Sequence, residues 1–119
     1  MDKTPQELKE RTKLFARRII RLYVSLPKDT VAQVLGKQML RSGTSVGANY
    51  REANRGRSKS EFVSKMGDSM RELEETEYRI ELLTDERIVR PANMELLLDE
   101  TRQLNAIFTT IIKKARASL

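Results

Sequence analysis

Apolar residues recur at helical spacing along nearly the whole chain. Leu8, Thr12, Phe15, Ile19, Leu22 and Leu26 follow at alternating steps of four and three, which keeps one stripe of a helix facing a partner. Thr4-Pro5-Gln6-Glu7 supplies its start: Thr4 as cap, Pro5 at the first helical position and Glu7 to complete a capping box. The pattern predicts a first helix to about Leu26, where Pro27 stops it. After Pro27-Lys28-Asp29, Asp29 or Thr30 caps a second helix with the seam Ala32, Leu35, Met39, Ser42, Val46, Asn49 and Ala53. Asn54-Arg55-Gly56-Arg57 breaks the pattern, and Ser58-Lys59-Ser60-Glu61 restarts it as a second capping box. Phe62, Met66, Ser69, Leu73, Thr76, Ile80 and Leu83 form the third seam. Pro91 opens a fourth helix with Leu97, Thr101, Leu104, Phe108, Ile111 and Ala115 inward.

Links this short force sequential helices to lie antiparallel, so the expected fold is all-α: one up-down-up-down four-helix bundle over residues 1–119. Apolar residues remain outside the seams, Leu14, Ile20, Tyr23, Leu96 and Ile107 among them. If they form a patch, self-association is the ordinary way to bury it.

The second seam is weak in its middle, where Ser42-Gly43-Thr44-Ser45-Val46-Gly47-Ala48 offers little apolar area. This is not a P-loop, since no Gly-Lys-Ser/Thr ends it and no strand precedes it. Two glycines in mid-helix cost about 1 kcal/mol each relative to Ala, and close approach of a neighbouring helix is the natural compensation. Ser42 and Ser45 then serve local or cross-helix hydrogen bonds, and Asn49 at a seam position sets register.

Composition removes several chemistries. The chain has no His, Cys or Trp, so there is no disulfide, no thiolate nucleophile and no imidazole base or ligand. Glu72, Glu74, Glu75, Glu77 and Glu81 suggest a carboxylate-bridged metal pair at first glance, but such bundles also draw a His from each of two helices. Leu73, Thr76 and Ile80 take the inward positions there, which turns most of these carboxylates to solvent. The expectation is therefore no enzyme, no catalytic residue, no cofactor and no metal. Met1 to Arg11 is polar and no apolar run approaches the roughly 18 residues of a membrane span, so a cytoplasmic protein is expected.

Charge is the remaining functional signal. Lys and Arg number 23 against 17 Asp and Glu, a net charge of +6. Between Lys9 and Arg21 the chain carries six bases and the single acid Glu10, and Arg51, Arg55, Arg57 and Lys59 crowd the next break. Arg17, Arg21, Arg51, Arg55, Arg57 and Lys59 are the candidate contacts to an RNA or DNA backbone. No aromatic alternates with them, so base-specific readout is not expected.

The run from Arg41 to Ala53, with Arg57-Ser58-Lys59-Ser60-Glu61-Phe62 and Glu75-Thr76-Glu77-Tyr78, closely resembles the bacterial four-helix bundle proteins encoded by intervening sequences in 23S ribosomal RNA genes. The resemblance extends from Phe15 to about Ile112; relatives often carry Trp after the tyrosine, where this chain has Arg79. It implies a non-enzymatic, ring-like homopentamer, similar to the accessory protein of diversity-generating retroelements, whose basic pentamer associates with nucleic acid and a reverse transcriptase. Two roles stay open: a nucleic-acid-binding assembly, or a protein–protein adaptor whose partner is another polypeptide.

Overall fold

The computed structural model describes residues 4–119, so the first three residues of the polar stretch Met1 to Arg11 lie outside it. Four helices follow one another: α1 (Pro5–Ser25), α2 (Thr30–Asn54), α3 (Lys59–Asp85) and α4 (Pro91–Ala117). They form a rod of 47 × 25 × 20 Å in which α2 packs on α1 and α3, and α4 packs on α3. Arg11 reaches from α1 to Glu100 on α4 at 2.7 Å, which closes the circuit.

The helix ends follow the predicted chemistry. The Glu7 amide donates to Thr4 Oγ1 at 3.1 Å, the Thr4 amide donates back to the Glu7 carboxylate, and Pro5 opens α1. Asp29 is the cap of α2 and accepts from the Ala32 amide. At α3 the second arm of the box falls one residue early: Ser58 accepts from the Glu61 amide, but the Glu61 carboxylate takes the amide of Arg57 rather than that of Ser58. The α3–α4 link is a Schellman turn. Ile88 N–H donates to the Leu83 carbonyl and Arg87 N–H to that of Thr84, with Arg87 left-handed at φ 57° where glycine is usual.

Every predicted α1 seam residue is buried. The later seams rotate in places. On α2, Asn49 and Leu35 are only half-buried, while Gly36, Gly43, Gly47 and Tyr50 are inside. Asn49, expected at a seam position, therefore lies off the buried stripe. Tyr50, one residue and about 100° further round, holds the core position and stacks on Phe108 with ring centroids 5.7 Å apart. On α4, Ile112 replaces Ile111 and Ala115 at the seam, which Met94 extends at the other end. On α3, Phe62 is half-buried and the buried seam begins at Met66.

Glycines let α1 and α2 approach. A Cβ on Gly43 would stand 2.8 Å from two side-chain carbons of Ile19, and one on Gly47 would stand 3.0 Å from Thr12 Oγ1. Gly36 does the same for Tyr23 and Leu26. The buried hydroxyls of this core are all satisfied. Ser42 and Thr76 lie 2.7 Å apart across the α2–α3 interface, and Ser69 donates to the Val46 carbonyl at 2.7 Å. Ser45 has a local role only, donating to the Arg41 carbonyl.

Candidate nucleic-acid interface

The six candidate bases lie on the exposed surface, and none of them forms an ion pair among the described residues. Acids draw other bases instead. Arg41 binds Glu72 and Glu75 at 2.9 Å each, Arg102 binds Glu77, Lys65 binds Glu52, and Arg71 pairs with Asp68. The hydrogen bond that Arg11 donates to Glu100 pushes the guanidinium above its ordinary pKa, and the hydrogen bond that Lys65 donates to Glu52 does likewise for the ammonium. The predicted carboxylate cluster is thus a set of surface ion pairs: Glu72, Glu75 and Glu77 each face a guanidinium on a neighbouring helix.

The result is an uneven molecule. Residues 4–57, which hold α1 and α2, carry twelve Lys or Arg against four Asp or Glu, whereas residues 58–119 carry ten against twelve. The net positive charge therefore resides on the α1–α2 side.

Two groups of bases are distinct along the axis. Ile19 meets Gly43 and Thr12 meets Gly47, which fixes the antiparallel register of α1 and α2. Counting along α2 at 1.5 Å per residue puts Arg17 and Arg21 about 16 to 24 Å above the turn that holds Arg55 and Arg57. Steps of four residues along α1, Arg21 to Arg17 to Lys13 to Lys9, lead back toward that turn at roughly 6 Å intervals, and Arg51 stands near the level of Lys9. The expected patch is therefore a ramp rather than a cluster, with Arg51, Arg55, Arg57 and Lys59 at its foot.

Lys59 differs from the rest. Its ammonium donates to the carbonyl and hydroxyl oxygens of Ser118 at 3.3 and 2.9 Å, which ties the start of α3 to the end of α4. That contact brings Lys113 and Arg116 to the same end of the rod as the α2–α3 turn. In the sequence Lys113 lies 54 positions after Lys59, so only the fold brings these C-terminal bases to the turn.

Beside them, between α3 and α4, opens a cavity of about 300 Å³ lined by Gly67, Met70, Arg71, Glu74, Thr109, Ile112, Lys113 and Arg116. Nothing in the sequence pattern had marked Gly67. Among the described residues no helix is long and apolar enough to cross a membrane.

The family model of 23S rRNA-intervening sequence proteins matches residues 6–110. A crystal structure of a protein with unknown function from the S23 ribosomal protein family of Bacteroides thetaiotaomicron is similar at a TM-score of 0.85 and 36% sequence identity, over 92% of this chain and 97% of that one. No curated protein matches.

Proposed function

The chain belongs to the 23S rRNA-intervening sequence protein family, and from that premise we propose that it is a non-enzymatic, cytoplasmic bundle that self-associates and binds RNA or another nucleic acid through phosphate contacts. The observation that carries this reading is the ramp of bases without acidic partners among the described residues on the α1–α2 side, where residues 4–57 hold twelve Lys or Arg against four Asp or Glu. A row of bases without acidic partners on a helix face keeps its full charge available to a polyanion, and neutralising phosphates releases counterions. Binding of this kind is salt-dependent and weakly selective for sequence.

Fluorescence anisotropy of a labelled RNA across a salt series tests it. Replacing Arg17, Arg21, Arg55 and Arg57 with Glu should weaken binding and lower the slope of log K against log salt by roughly 0.7 to 0.9 for each phosphate no longer neutralised. The helical circular dichroism should be unchanged, since all four side chains are exposed and unpaired. Absence of measurable binding by the wild-type protein at low salt would overturn the reading. A protein adaptor is the second reading, favoured by exposed apolar side chains on the outer face of α1, where Leu14 is 51% and Val24 67% exposed. A pentamer is what the family resemblance suggests for the self-association.

A further inference from the structure

The α3–α4 cavity has an opening that no packing need explains. Gly67 sits in the interior of α3, where glycine costs about 1 kcal/mol relative to Ala. Its helical counterparts Gly36, Gly43 and Gly47 offset that cost by admitting a neighbouring side chain, but around Gly67 nothing lies within 4 Å of where a Cβ would be. The space over Gly67 is the cavity itself. A large side chain there would project into it.

The lining has three chemistries. Met70 and Ile112 supply the apolar part, and a thioether makes favourable contacts with an aromatic ring. Thr109 and Glu74 add polar oxygens to the lining; the Thr109 hydroxyl donates to the Asn105 carbonyl at 2.8 Å and lies 3.9 Å from the Met70 sulfur, and its lone pairs can accept. Three bases complete the lining: Arg71 pairs with Asp68, whereas Lys113 and Arg116 are in no ion pair among the described residues. A flat ring against Met70 and Ile112, N–H groups toward Thr109 and Glu74 and a phosphate at Lys113 and Arg116 describe one nucleotide. A free carboxylate-bearing lipid would satisfy the bases and the apolar part but leave the two acceptors unused.

We propose that this cavity receives one unpaired base of the bound nucleic acid, so that the preferred partner is single-stranded or carries a single-stranded segment. The inference rests on the nucleic-acid reading and adds to it. A duplex keeps its base faces stacked and offers only phosphates, which the ramp and the turn serve equally well; a single strand offers a base face as well. Glu74 as acceptor favours a base with an exocyclic amine, such as adenine.

The test compares a fluorescein-labelled oligoadenylate of about 12 nucleotides with a blunt duplex of the same length by anisotropy, for wild type and Gly67→Leu. Leu meets open space at its Cβ and is the better helix former, so the variant should melt at or above the wild-type temperature. Gly67→Glu, which adds a charge repelling the strand, is the second variant. Wild type should prefer the single strand, and both variants should lose about tenfold in single-strand affinity, of the order that one base contact supplies, with duplex affinity unchanged for Gly67→Leu. Unchanged single-strand affinity in Gly67→Leu, or no preference in the wild type, would overturn the cavity's role while leaving salt-dependent binding intact. Absence of binding to either probe would instead remove the nucleic-acid reading, and this inference with it.

Discussion

The same residue type stands in mid-helix for opposite reasons in this chain. Gly43 is pressed against Ile19, a buried β-branched residue whose contacting atoms lie next to its own backbone and have little room to yield. Gly43→Ala should therefore destabilise the protein by about 1 to 3 kcal/mol, since overpacking outweighs a propensity gain of under about 1. Gly67→Ala meets nothing and should stabilise by about 0.5 to 1 kcal/mol. Urea denaturation of the two variants decides this, and a shared sign would show that helix propensity or packing alone governs both. The first glycine was legible in the sequence because it lies in a run of small residues beside a seam; the second was not, because the concavity over it exists only once α4 is in place. Tyr50 offers a pH handle at the same scale. Burial raises its phenol above the ordinary value near 10, against a smaller lowering by a hydrogen bond with Asn54. A raised folded-state pKa gives stability that is complete below the unfolded value and lost as pH rises through the folded one. Stability measured in a series upward from about pH 9 should fall, and Tyr50→Phe should flatten the decline.

Helices and their order were readable from periodicity and punctuation, because caps, prolines and seam spacing all act over four or five residues. What periodicity missed was rotation. On α2 the small residues supply no apolar contrast, so Asn49 and Tyr50 competed for one seam position, and the large aromatic won it by reaching Phe108 on a helix that α2 meets only across the core. The α3–α4 link was equally opaque, since Asp85 to Arg90 contains no glycine to announce its left-handed residue. The Schellman geometry places Arg87 at that position and turns Ile88 and Val89 back against the core. A non-glycine residue there carries a steric cost of roughly 1 kcal/mol. Arg87→Gly should recover much of it and raise the melting temperature, although the same substitution in a helix interior would lower it. A lower melting temperature would mean that the Arg87 side chain contributes more than its backbone strain costs.

At the scale of the molecule, two kinds of exposed surface could carry the proposed self-association, and salt separates them. The α1–α2 side is rich in unpaired bases and the α3–α4 side in acids, so copies could meet by charge. Leu14, Ile20 and Leu96 are 51%, 44% and 78% exposed, so copies could equally meet by apolar contact. Exposed charges attract weakly in water and are screened beyond about 8 Å at physiological ionic strength, whereas apolar burial contributes about 25 cal/mol per Å² and does not weaken with salt. The expected outcome is an assembly carried by the apolar residues. Light scattering should give a mass several times 13.8 kDa at micromolar concentration, unchanged between about 0.05 and 0.2 M salt, the range over which a polyanion held by six or more phosphate contacts loses about a thousandfold or more in affinity. Leu14→Glu combined with Leu96→Glu should give monomers of unchanged helicity, because both side chains already face solvent within one chain. A wild-type monomer would remove self-association from the proposal, and dissociation by salt would assign it to charge. If the double variant is monomeric yet still binds RNA with the same salt slope, each bundle carries its own ramp; if binding collapses with the assembly, the bases of several copies act together on one strand.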